Sequence, residues 1–330
     1  MNLKLALLLL ASCSAAFSQS ASSTEFQRNL QWANEGQTSA QRTVGRDYLR
    51  GVVVQRNAVV ARTWFQKASD SGNNESRAWL GSMLIAGQGG PKDVEQGLKL
   101  EHDAAEANDP TAKMFLGMYE ESGKIVPKDL GKAVSLYQEA VAGGNTEAMA
   151  WLGNAYIRGD VPEPTPGAGF KLLQSSAAAG DEWGEVFLGM QLMSGRFGPI
   201  DKQGALKVYL ASVAQNNRVA LYRLGLMYEN GDAEPKDYNH AGYYHLLAAR
   251  QDYAPAESSL AALYDLGLGV NVDKVRAYFW AALASRQGDP VSQERVNVLS
   301  PQLSASELTD VQKQIMEFVS KHGASSSTSH

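Results

Sequence analysis

A chain of 330 residues with one cysteine, Cys13, can form no internal disulfide, so its stability must come from packing. Histidine is almost as scarce, with five in all. His102 and Glu106 stand one helical turn apart, but no second liganding pair lies near them, and His240 and His245 do not share a helical face. Neither G-x-S-x-G nor H-E-x-x-H occurs, which leaves nucleophilic and zinc hydrolysis without a candidate. The glycine pairs Gly87-Gln88-Gly89 and Gly267-Leu268-Gly269 follow no strand and lack dinucleotide spacing. No catalytic, cofactor or metal site is expected. Beyond the first residues, no stretch approaches the roughly 20 apolar residues a spanning helix needs. Basic runs are missing too. With 30 Lys and Arg against 35 Asp and Glu the net charge is −5, which argues against nucleic acid and against a polybasic membrane patch.

What the chain has is period. Gly51, Gly87, Gly123, Gly159, Gly195, Gly231 and Gly267 stand 36 residues apart without a slip. A second ladder runs through Gly45, Gly81, Gly117, Gly153, Gly189 and Gly225, closed by Ala261. A fixed repeat of this length defines an array in which each unit buries its apolar face against its neighbours. Each of seven rows reads as two helical stretches. The first ends at the Gly51 ladder, where a helix stop requires positive φ. Asp93, Asp129, Asp201, Asp237 and Asp273 then suit N-caps of the second helix, and Asp93 with Gln96 has capping-box spacing.

Within the second helix, Ala61, Gly97, Ala133, Gly169, Ala205, Ala241 and Ala277 form one small-residue column. Ala68, Ala104, Ala140, Ser176, Ser212, Ala248 and Ala284 form another, two turns on and on the same face. Small side chains there allow close helix approach. The second helix stops at Gly72, Asn108, Gly144, Gly180, Asn216 or Gly288, residues that tolerate the left-handed region.

These columns resemble the Sel-one-like repeat family, a relative of the tetratricopeptide repeat. The row with Leu224-Gly225, Tyr228, Gly231, Asp237, Ala241, Tyr244 and Ala248 carries the pattern most fully. The resemblance implies an all-α solenoid of αα-hairpins, a right-handed superhelix of seven 36-residue repeats over residues 41–292. It also implies that first helices line a concave surface which holds a protein or peptide partner, as in envelope-assembly scaffolds. One row departs: Val161-Pro162-Glu163-Pro164-Thr165-Pro166 has no Asp cap.

The ends read differently. Phe26, Leu30 and Ala33 give residues 19–40 the look of an orphan second helix, a cap for the first repeat. Ser304 and Glu307 form a capping box before Leu308, Val311, Ile315 and Phe318, so 293–322 reads as the opposite cap. Residues 323–330 are a serine-rich tail expected to be disordered. The first residues, with Lys4, an apolar Leu5–Ala11 core and small residues after it, read as a secretory leader. Cleavage after Ser18 and lipidation of Cys13, which would make residues 1–12 the leader, both fit. The protein is expected in the bacterial periplasm or lipid-anchored to the outer membrane, reaching membrane only through such an anchor.

One column is unlike the rest. Trp79, Phe115, Trp151 and Phe187 stand 36 apart in the four central rows, where the flanking rows carry Thr43, Arg223 and Ser259. Met118, Asn154 and Met190 lie one turn on, and Arg158 follows. This stripe fits inter-repeat core, as regular apolar periodicity usually does, and its confinement to the central rows also fits an aromatic and methionine groove for an extended peptide or amphipathic helix. Trp79 and Trp151, with Asn154 and Arg158, would also suit a carbohydrate or peptidoglycan platform.

Overall fold

The structure is a computed structural model and describes residues 24–232 and 235–322. The leader, Cys13 and the serine-rich tail fall outside the described residues. The described residues form helices and connecting loops, with no strand among them. The fold is an all-α repeat solenoid. By contacts the chain divides into two compact units, Met1–Ala112 and Lys113–His330.

In the first unit, α1 (residues 24–34) precedes α2 (Thr38–Arg50), α3 (Ala58–Asp70), α4 (Asn74–Ala86) and α5 (Val94–Glu106). Phe26 and Ala33 of α1 are buried with Ala40, Val44 and Trp64, so α1 covers the face of the first hairpin. Ala61, Phe65, Leu80, Met83 and Leu84 make the next layer.

α6 (Pro110–Ser122) leads into the second unit, which continues with α7 (Leu130–Ala142), α8 (Thr146–Arg158), α9 (Ala168–Ala178), α10 (Glu182–Ser194), α11 (Lys202–Ala214), α12 (Arg218–Asn230), α13 (Tyr238–Ala249), α14 (Ala254–Leu266) and α15 (Lys274–Arg286). First helices therefore begin every 36 residues, from Thr38 to Ala254. α16 (Pro290–Leu299) keeps that phase, a 3-10 turn spans Ser300–Gln302, and α17 (Ala305–His322) follows. The stretch 293–322, read above as one cap, is thus the end of a further first helix, a turn and then a cap. Pro301 explains the break, since it offers no N–H to continue α16. α17 begins with the expected capping box: Glu307 N–H donates to Ser304 Oγ at 3.3 Å, and Ser304 N–H to Glu307 Oε2 at 2.8 Å. It covers α15 through Phe318, whose ring meets Phe279 and Trp280 edge-on, both at 5.8 Å.

Local chemistry explains the period. Asp93, Asp129, Asp201, Asp237 and Asp273 each cap a second helix through their side-chain oxygens. Asp93 Oδ1 accepts from Gln96 N–H at 3.0 Å, but the Asp93 N–H itself donates to Leu84 O, so the other half of a capping box is replaced by a bond that closes the loop. Asp129 to Glu120 and Asp237 to Tyr228 repeat that closure. In the proline-rich row Glu163 substitutes for the missing aspartate, accepting from Gly167 and Gly169 N–H at 3.0 and 3.2 Å. A second column of caps, Asn73, Asp109, Asn145, Asp181, Asn217 and Asp289, starts the first helices. It lay in the sequence at the same period but was not among the features read from it. The stops fall where expected, with Asn108 and Asn216 at φ 60° and 62°, and Asp252 doing the same in the remaining row.

Both small columns are buried. The second glycine ladder has a steric cause in its partner column, 20 residues on. A Cβ on Gly117 would lie 2.7 Å from the Tyr137 ring, and one on Gly225 2.4 Å from the His245 ring. Phe65, Tyr137, Leu173, Tyr209 and His245 of that column are all buried. Successive hairpins are also joined by polar bonds. Gln215 Nε2 donates to Gly180 O at 2.9 Å, and Gln251 Nε2 to Asn216 O at 3.0 Å. Gln287 Nε2 bridges Asp252 Oδ1 at 3.1 Å and Glu257 Oε2 at 2.9 Å. Glu257 is fully buried; burial first, and the nearby Asp252 charge second, push its carboxyl up to about 9.

Candidate functional site

Within the second unit, α6, α8 and the loops that follow them enclose a pocket of about 300 Å³. Its walls are Met118, Glu121 and Ser122 from α6, Lys124 and Lys128 from the α6–α7 loop, Trp151 and Arg158 from α8, and Asp160 beyond it. The period builds this place. Gly123, at φ 68°, ends α6 in the left-handed region and turns the chain outward. The loop is pulled back where Asp129 N–H meets Glu120 O at 2.9 Å. Lys124 and Lys128 are held in the arch between.

Charge inside the pocket is mostly matched. Glu121 accepts from the Tyr137 hydroxyl at 2.6 Å and pairs with Arg158, whose Nε donates to Asp160 Oδ2 at 2.6 Å. Partial burial pulls the Arg158 pKa down, and the two carboxylates more than offset it. Burial, and then the Glu121 charge, push the Tyr137 phenol well above its ordinary range. The hydroxyl therefore stays a donor to Glu121.

Trp151 forms the apolar floor. It is 6% exposed, and its ring meets Phe187 edge-on at 5.3 Å and Trp183 tilted at 5.3 Å. Trp183 and Phe187 lie 5.8 Å apart, so three aromatic rings join α8 to α10. Such pairs add about 0.5–1.5 kcal/mol each beyond area burial. Trp151 thus serves core and pocket at once.

The stripe read from the sequence divides accordingly. Met118, Trp151 and Arg158 come together in the pocket, and Phe187 supports Trp151 from behind. Phe115 is buried at 5% exposure. Asn154 is half-buried and outside the pocket lining, and Met190 Sδ accepts from Arg223 Nη2 at 3.8 Å. Trp79 belongs to the first unit, half-buried and stacked on Phe65 at 6.0 Å. Glu121, Lys124, Lys128 and Asp160 were missed. A signal for one of them existed: Glu121 stands in a column otherwise filled by Leu49, Ile85, Ile157 and Met193 in the rows around it. The same substitution recurs at Glu229, whose Oε2 lies 3.3 Å from Nε2 of buried His245, as Glu121 meets Tyr137. Among the described residues no cluster of His, Cys, Asp and Glu could hold a metal ion, and no helix is long and apolar enough to cross a membrane.

The repeat unit, its glycine crossings and its paired Asx caps define a class of αα-hairpin scaffold. The chain belongs to the Sel1 repeat family, whose model matches residues 38–73, 74–109, 110–145, 146–181, 218–253 and 254–289. The row 182–217 falls outside that match, yet α10 and α11 keep the same phase. Among solved structures the chain is similar to c5321, a protective antigen of uropathogenic Escherichia coli strains with an SLR fold. The two share 25% identity at a TM-score of 0.58, over 90% of this chain and 64% of that one. A Sel1 repeat protein from Oxalobacter formigenes shares 26% identity at a TM-score of 0.54, over 83% of this chain and 79% of its own. The chain thus spans about 64% of the length of the first of these relatives. A search of curated proteins returns no match. Sel1 repeats form scaffolds that commonly mediate protein–protein interaction.

Proposed function

We propose that this protein is an exported, non-catalytic scaffold that holds a segment of a protein partner at the Trp151 pocket. The observation that carries the reading is the meeting of Met118, Trp151 and Arg158 around one cavity, with the carboxylates already engaged inside the protein. A concave site that sets placed polar and charged groups around an apolar floor has the form of a recognition pocket. Export rests on the leader read from the sequence, and a lipid anchor at Cys13 is the variant of the same proposal. The carbohydrate reading gains nothing from the geometry, because Trp151 and Trp79 are both packed against other rings.

A photo-crosslinking residue at Ser122, on the pocket wall, and another at Glu317, exposed on α17, provide the test in the producing cell. Capture of one protein from Ser122 and not from Glu317 supports the reading. Equal capture from both, or none, ends it. The mass of the mature protein decides export: an N-terminus at Gln19 or an acylated Cys13 supports it, and an uncut chain removes it.

A further inference from the structure

We propose that the pocket selects an acidic, apolar peptide segment: a carboxylate on the partner faces Lys124 and Lys128 while a neighbouring apolar side chain rests on Met118 and Trp151. This rests on the function proposed above and names its partner chemistry. Five of the eight lining residues are charged, three of them cationic. Both acids are already paired within the protein. Glu121 is shared between Tyr137 and Arg158, and Asp160 is held by Arg158. The two lysines are on the exposed loop, so the rim is positive although the whole chain carries −5. A local reversal of sign of this kind steers an oppositely charged partner and rejects a like-charged one. The floor is apolar, and Met118 can adjust to side chains of different shape. A free inorganic anion would use the lysines and leave that floor wet, whereas a segment with acid and aliphatic residues side by side satisfies both.

Two fluorescein-labelled peptides test this on the mature chain: one alternating Asp or Glu with Leu, and its twin with Lys in place of each acid. An oligothymidylate serves as a polyanion without apolar side chains. The acidic peptide should bind, and more weakly as ionic strength rises. Lys124→Glu with Lys128→Glu should cut its affinity at least about tenfold and improve binding of the basic twin, as expected for paired charges across an interface. Met118→Ala should weaken the acidic peptide without changing its salt dependence. Circular dichroism melting of each variant confirms that the exposed-loop changes leave the fold intact. Equal binding of the basic twin, equal binding of oligothymidylate, indifference to the charge reversal or no binding of the acidic peptide each overturn the proposal. If Ser122 still captures a partner in that case, only the acidic assignment falls; without capture the pocket itself is abandoned.

Discussion

In the fifth hairpin Gly189 lies against Tyr209, while the seventh places Ala261 and Ala281 at the same two positions. A Cβ on Gly189 would come within 2.5 Å of the Tyr209 ring, so at this crossing one partner has no side chain and the other is large. In the seventh hairpin both are small and both are fully buried. The missing volume is found beside the crossing: Trp280 and Leu283 are buried where the fifth hairpin has half-buried Val208 and exposed Ala211. Glycine at the crossing is thus tied to the large ring opposite it, and where that ring is replaced by Ala281 an alanine is accommodated. Close-packed interiors tolerate redistribution of volume better than its loss or excess.

The hardest blow to this picture is Tyr209→Ala. Removing a nearly buried ring beneath a glycine leaves a cavity with nothing to fill it, and the expected loss is about 3–5 kcal/mol in chemical denaturation. An effect under about 1 kcal/mol would mean the ring is dispensable. Gly189→Ala should cost about 1–3 kcal/mol by overpacking against the same ring. Combined with Tyr209→Ala it recreates the pair found in the seventh hairpin. The double variant should then be less unstable than the two single losses added together, because the residues are in contact. Strict additivity would break the comparison.

Glu257 sharpens it at a polar position of the seventh hairpin. Its pKa in the fold, about 9, lies above the ordinary carboxylate value, so the folded protein retains a proton that the unfolded chain releases. The stability this group contributes is full below about pH 4.5 and falls as pH rises towards about 9. Glu257→Gln keeps an acceptor for Gln287 and removes the titration. Its melting temperature should exceed that of the parent at pH 8, by about 2–4 °C for each kcal/mol recovered, and converge with it near pH 4. A constant difference across that range would detach the effect from ionisation. The smallest change is expected from Ala261→Gly, about 0.5–1 kcal/mol from backbone entropy, since nothing large waits above it. A cost near 3 kcal/mol would show that the methyl group itself fills the crossing.

Much of this molecule is legible in one sequence because a repeat presents the same local problem seven times. The helix stops, the Asp caps and the small columns depend on φ, on a nearby N–H or on one neighbouring helix, and period makes each visible. Even so, Glu163 as a substitute cap was hidden, since its partners Gly167 and Gly169 lie across a loop whose path the prolines alone do not dictate. The stripe shows where local reasoning stops. Trp79, Phe115, Trp151 and Phe187 are equivalent by period, yet Trp151 lines a pocket while Trp79 stacks on Phe65. Sequence alone determined the helical array, its unit and its registers, because those follow from interactions within one hairpin and its nearest copy. Only tertiary structure decided that Lys124, Lys128, Glu121 and Arg158 share one cavity with Trp151. A pocket needs the directions of side chains from two first helices and two loops, and no spacing along the chain encodes how such directions converge.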